Sequence, residues 1–249
     1  MSQAGYFVCY TAGTSGAFVA SLVAQIVNNT QREFGYTMNG NSHSNMLDAN
    51  GGLDWGRAPS PITSEYFYNN IFTFDSRLPM VMQSHIMPAW DIVNSRWPGF
   101  KAVIVTHTIK DLEEIAANLY YKYYLDDFEV SAKNAFMDII LQNQTIFGRI
   151  VQHPSELTED EIKVFMKILV YHKLTDGYVY PKVPAEYKEN ALLLPYWNIV
   201  NDQEATLKAL SEFLGRPVPQ ITYDNYTAYL EHQHALINEK AGWLKAYNF

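Results

Sequence analysis

The amino-acid sequence predicts an α/β fold, a mainly parallel central sheet flanked by helices, and two observations carry that prediction. Apolar runs of strand length stand at Tyr6 to Tyr10, Leu78 to Ser84, Lys101 to Thr106 and Ala191 to Tyr196. The middle two are continuous, as parallel strands covered on both faces require. Between the runs, apolar residues recur every three or four positions, the period of a helix with one buried stripe. Strands alternating with helices favour parallel pairing through right-handed crossovers. With 249 residues, 48% hydrophobic and 18% charged, the chain has ample material for a core, and no compositional seam divides it. The expectation is a single domain over 1–249 with an α-rich insertion at about 130–190.

Each element has its own signal. The first strand breaks at Thr11-Ala-Gly-Thr-Ser-Gly16, after which Val19, Leu22, Val23, Ile26 and Val27 mark a helix. Met38 to Pro61 is rich in Asn, Gly, Ser and Pro and reads as a long loop, within which Asn39 to Gly52, including His43 and Asp48, is a candidate part of an acceptor lid. After the third strand, Asp111 opens the helix DLEEIAANLYYKYY, whose stripe is Leu112, Ile115, Ala116 and Leu119 and whose acidic start suits the helix dipole. Ala132 to Ile150 reads as helical, and Thr158 with Glu161 forms a capping box opening EIKVFMKILVYHKL. Beyond the last strand, Gln203 to Leu214 is an amphipathic helix closed by Gly215, and Tyr226 to Asn238 is a final helix.

Composition also excludes classes of function. With 26 acidic against 18 basic residues the net charge is −8, which argues against a general nucleic-acid surface. The first apolar segment has no basic flank and is interrupted by Gly13 and Gly16, so it reads neither as a signal peptide nor as a membrane span; a soluble, cytoplasmic protein is expected. Cys9 has no cysteine partner and reads as a small buried hydrophobe. His232 and His234, two apart on a helix, point to different faces, so no metal is expected. Tyr120, Tyr121, Tyr123 and Tyr124 read as core-edge residues with wet hydroxyls.

The turn after the first strand carries the chemistry. A strand that stops at glycines before a helix gathers unpaired backbone N–H groups at one concave point, where they and the helix dipole can hold an anion such as phosphate. Gly13 and Gly16 would let the backbone approach closely, and Thr14 and Ser15 would add hydroxyl donors. The turn is neither the Walker pattern, lacking its Lys, nor G-x-G-x-x-G. A plain turn capped by Thr or Ser is the alternative.

Four segments in order resemble the sulfotransferase family. TAGTSGAFVASL is similar to its 5′-phosphosulfate loop, with Ser15-Gly16 on the Ser-Gly pair and Ala17 and Phe18 opening the helix. MVMQSHIMPAW resembles the strand ending in Lys-Thr-His-Leu-Pro, with His85 in the place of the histidine that serves as base. KAVIVTHTIKDLEEIAANLYYKYY is similar to the strand, Arg-Asn-Pro-Lys-Asp-Val turn and Tyr-rich helix that hold the 3′-phosphate, with Lys110-Asp111 on Lys-Asp. LLLPYWNIVNDQEATLKALSEFLGRP resembles the Tyr-Glu-Asp-Leu segment and the helix ending in Phe-Leu-Gly. Their joint order and spacing extend over most of the chain, from Thr11 to Pro217.

The resemblance implies a P-loop-like domain that binds 3′-phosphoadenosine 5′-phosphosulfate and passes its sulfuryl group to a hydroxyl or amine of a small-molecule or glycan acceptor. It implies Gly13, Thr14, Ser15, Gly16, Ala17 and Phe18 at the 5′ end, His107 and Asn118 near the 3′-phosphate, and His85 as catalytic base. Such a transfer needs a base, positive charge and an in-line cradle. Two of the family's cations are replaced. Thr14 stands where the loop has Lys or Arg, and His107 stands where the turn has Arg, a change that loses the bidentate fork. Each lost charged hydrogen bond costs about 1.5–3 kcal/mol. Arg57, Arg77, Lys101 and Lys110 are the candidate substitutes. The family's helix serine falls at Ile115 or Asn118, depending on register.

The leading expectation is therefore a divergent sulfotransferase. The alternative is a non-catalytic protein of that fold, acting as an anion-binding or interaction module. A nucleotide kinase of related topology is weaker, because the Walker lysine is absent. Homo-oligomer formation is left open.

Overall fold

The computed structural model describes residues 5–11, 13–28, 80–84, 87–88, 90–120, 147–151, 156–158, 160–162, 164–165 and 181–231. Strands β1 (Gly5–Cys9), β2 (Met80–Ser84), β3 (Lys101–Thr106) and β4 (Ala191–Pro195) form one sheet in the order β2-β1-β3-β4. Every neighbouring pair is parallel. The chain is thus α/β with a parallel sheet flanked by helices, and all four strand predictions fall on strands.

Side chains alternate across the sheet, as a strand's period of two dictates. Tyr6, Val8, Val103 and Val105 face one buried cluster, whereas Phe7, Cys9, Ala102 and Ile104 face the other. Both faces are therefore dry, which explains why these strands read as unbroken apolar runs. On the first face lies α1 (Gly16–Asn28), where Val19, Ala20, Leu22, Val23, Ala24, Ile26 and Val27 are all 1% exposed or less. It packs against β1, β2 and the later helix α5 (Gln203–Leu214), so it is a central rather than a surface helix. On the second face α2 (Trp90–Arg96) supplies Val93, and Trp97 follows it; the Phe7 ring meets Trp97 and Phe100 edge-on at 5.7 and 5.6 Å. Truncating a ring such as that of Phe7, fully buried, costs roughly 3–5 kcal/mol.

Caps fix the remaining elements. Thr108 and Asp111 close a reciprocal box around the single 3-10 turn Ile109–Asp111, from which α3 (Leu112–Tyr120) continues. The predicted box at Thr158 is also present: the Thr158 amide donates to Glu161 Oε2 at 2.8 Å, and the Glu161 amide donates to Thr158 Oγ1 at 3.2 Å. Asp202 caps α5 through the Ala205 amide at 2.9 Å, and Gly215 ends it at φ 67°, a left-handed conformation that suits glycine.

Several boundaries differ from the expectations. The fourth strand ends at Pro195, because Tyr196 already begins α4 (Tyr196–Asn201) and turns its ring into the core. The final helix already runs at 220–231 among the described residues, so it starts before Tyr226. The helix expected up to Ile150 cannot reach it: Gly148 has φ 63° in a turn that follows Phe147. The long loop from Met38 to Pro61 and most of 130–190 lie outside the described residues.

Candidate functional site

The strand order locates the site. From β1 the chain goes to β2 on one side, then crosses to β3 on the other side of β1 and continues outward to β4. Connections leave β1 and β3 in opposite directions, so the crevice beyond their carboxyl ends is the topological switch point at which open α/β sheets bind ligands. The β1–α1 turn and the exit of β3 both stand there.

Register explains how the two exits meet. Cys9 pairs with Ile104. Continuing that register brings Thr11 level with Thr106 and His107 against the turn, and His107 Nε2 lies 3.2 Å from Thr11 Oγ1. His107 is buried, and desolvation pulls its pKa below the ordinary value, opposed by a backbone hydrogen bond and by the charge of Asp111. It is thus a neutral imidazole at neutral pH and does not supply the positive charge of the arginine it replaces.

Within the turn, the Thr14 amide and hydroxyl both donate to the Thr11 carbonyl, at 3.2 and 2.6 Å. On the other end of the same peptide unit, the Gly13 carbonyl accepts from Asn118 Nδ2 at 3.2 Å. The Gly13–Thr14 peptide is held at both poles, with Gly13 at φ 88°. Asn118 Nδ2 also donates to the Tyr196 hydroxyl at 2.9 Å, and that hydroxyl donates to Glu114 Oε1 at 2.8 Å. Burial, followed by the nearby Glu114 charge, pushes the Tyr196 pKa well up, so it remains a phenol.

Ser15 sits at φ 59°, a left-handed conformation that costs a non-glycine residue about 1–2 kcal/mol. The Tyr229 hydroxyl donates to its Oγ, and the Tyr229 ring stacks on Phe18 with centroids 3.7 Å apart. The first amides of α1, from Gly16 onward, have no acceptor within the helix. With the Ser15 hydroxyl they make up the donor group of the β1–α1 turn.

Of the residues singled out in the sequence, Gly13, Thr14, Ser15, Gly16, Ala17, Phe18, His107 and Asn118 are gathered at or beside one turn, although His107 and Asn118 are 96 and 105 residues distant from the partners they contact. Three of them make contacts within the protein that their spacing did not foretell. The Thr14 hydroxyl and amide are committed to Thr11, because a buried side chain at 0% exposure must find its partner within the protein. Both N–H groups of Asn118 are engaged by Gly13 and Tyr196, so Asn118 holds the turn. At Gly16 the Tyr10 ring lies where a Cβ would be, so packing alone requires the glycine. Between the two registers for the family's helix serine, Ile115 is fully buried in the core, and it is Asn118 that reaches the turn. Phe18 is buried and packs on Tyr229 and Tyr226 at its α1 position.

The candidate cations separate cleanly. Lys101 begins β3, at the amino edge of the sheet, where its ammonium donates to the Phe213 carbonyl at the end of α5. That is the edge opposite the turn. Lys110 is exposed on the 3-10 turn that leaves β3 at the carboxyl edge. His85, Arg57, Arg77, His232 and His234 lie outside the described residues. Sequence reasoning missed Thr11, Glu114, Tyr196 and Tyr229. Thr11 stands three residues before Thr14, the spacing of a side-chain-closed turn, and Glu114 and Asn118 share a helix face at i, i+4; Tyr196 and Tyr229 have no such local signal.

Among the described residues there is no group of three or more His, Cys, Asp or Glu side chains placed to hold a metal ion, and no helix long and apolar enough to cross a membrane. No protein-family model and no curated protein matches the chain.

Proposed function

We propose that the chain is a divergent sulfotransferase of P-loop-like architecture that takes 3′-phosphoadenosine 5′-phosphosulfate as donor and sulfates a hydroxyl or amine of a small acceptor. One observation supports this reading above the others: the β1–α1 turn and the exit of β3, the two segments that resemble the family's phosphate-binding loops, meet at the switch point of a parallel sheet. In the transfer, the acceptor oxygen attacks sulfur, the bond from sulfur to the bridging 5′-phosphate oxygen breaks, and 3′-phosphoadenosine 5′-phosphate leaves. The acceptor proton goes to His85. Ser15 and the first amides of α1 hold the 5′ end, and Lys110 is the cation nearest in the chain to the β3 exit.

A second reading, a non-catalytic protein of this fold, is favoured by a specific observation. Thr14 and His107 are each hydrogen-bonded to Thr11 and Asn118 to the Gly13 carbonyl, and none of the three brings a positive charge. Calorimetric titration with 3′-phosphoadenosine 5′-phosphate decides between the two. The transferase reading expects micromolar binding that Ser15→Asp abolishes; aspartate tolerates the left-handed conformation of Ser15 and places a carboxylate in the anion's seat. Absence of heat at millimolar nucleotide would select the second reading.

A further inference from the structure

We infer that Tyr196 is a positioning residue for the β1–α1 turn, acting through Asn118; the inference rests on the nucleotide-binding reading for its functional consequence, though not for its structural one. Tyr196 is the first residue of α4, its side chain is fully buried, and its hydroxyl stands between two half-buried groups of α3. The direction of each bond follows from chemistry. A carboxylate can only accept, so the phenol donates its single hydrogen to Glu114 Oε1 at 2.8 Å. Its lone pair then accepts from Asn118 Nδ2 at 2.9 Å.

An amide nitrogen has two hydrogens, and the second goes to the Gly13 carbonyl at 3.2 Å. Glu114 thereby fixes the phenol, the phenol fixes the Asn118 amide, and the amide fixes the Gly13–Thr14 peptide whose N–H faces Thr11. The chain of bonds runs from the start of α4 through α3 to the turn at the switch point. Each hydrogen bond polarises the next, so the array orients the turn more firmly than any one pair. It explains why a polar hydroxyl sits at a fully buried position on the loop side of β4, where a phenylalanine would fill the same space.

Tyr196→Phe tests this, because it removes one oxygen and leaves the ring. Two readouts are taken on the full chain: exchange of the Thr14 amide followed by NMR, and affinity for 3′-phosphoadenosine 5′-phosphate followed by calorimetry. The expectation is faster Thr14 exchange, with protection in the interior of α1 unchanged, and about a five- to tenfold rise in Kd. Asn118→Ala should add little to Tyr196→Phe, since both act on one array. Should Tyr196→Phe fold poorly, Glu114→Ala and Glu114→Gln serve instead: the glutamine keeps an acceptor oxygen and should loosen the turn less than the alanine. Thr14 exchange and affinity equal to the unmodified protein would overturn the inference. If the unmodified chain binds no nucleotide, the transferase reading falls, and unchanged Thr14 exchange in Tyr196→Phe is then the result that overturns the positioning role, accelerated exchange the one that upholds it.

Discussion

Gly16 offers the sharpest test of how the turn is built. An ideal Cβ at this position would stand 1.8 Å from Tyr10 Cγ, whereas ordinary van der Waals contact begins near 3.4 Å, so the ring would have to retreat by about 1.6 Å. It has nowhere to go: Tyr10 is 4% exposed and belongs to the core cluster beneath α1. Overpacking by one carbon in a tight core costs about 1–3 kcal/mol, and complete eviction of a ring roughly 3–5 kcal/mol, so Gly16→Ala should cost about 3 kcal/mol. In a chain of this length that lowers Tm by about 10 °C. Urea denaturation of a double-mutant cycle isolates the cause. In a Tyr10→Ala background the space is open, and Gly16→Ala should cost less than about 1 kcal/mol, giving a coupling of about 2 kcal/mol. An equal cost in both backgrounds would refute the steric argument that Gly16 is required by the Tyr10 ring.

Other outcomes follow from the same geometry. His107 has its pKa held below the ordinary 6.5 chiefly by burial, so the unfolded chain takes up the proton first as pH falls. Its contribution to stability is complete above pH 6.5 and declines on acidification toward the folded value; urea midpoints of His107→Gln should show a shallower acid slope than those of the parent. Thr14→Val deletes the 2.6 Å bond to the Thr11 carbonyl while leaving that carbonyl the Thr14 amide, so its cost in urea should be about 1 kcal/mol, below that of leaving a buried acceptor empty. Asp202→Ala removes the cap from the Ala205 amide and should cost about 1 kcal/mol, read as a lowered urea midpoint at constant m-value.

The inner strands were legible in the sequence because β1 and β3 are buried on both faces. Burial sets the apolar composition of Lys101 to Thr106, whereas the run ending at Pro195 is apolar although Leu193 is 46% exposed. Local chemistry also made the caps at Thr158 and Gly215 readable. Short elements escaped: α2 and α4 have seven and six residues, too few for a helical period to show. The glycine-rich turn of the candidate site was readable in the sequence, but the contacts of its residues were not. Whether Asn118 faces a ligand or the Gly13 carbonyl depends on the placement of Tyr196, 78 residues further on. Whether Gly16 accommodates a phosphate or a ring depends on the rotamer of Tyr10. Such facts are tertiary, and no spacing along the chain encodes them.

The account stands or falls on the donor group where β1 gives way to α1. Two-dimensional NMR of nitrogen-15-labelled protein, titrated with 3′-phosphoadenosine 5′-phosphate, reads those amides individually. Saturable shifts centred on Ser15 and Gly16, weaker at Thr14 because its N–H is already bonded to Thr11, are the predicted result. A spectrum unmoved at millimolar nucleotide, or one that moves only at the Lys101 edge of the sheet, would contradict it.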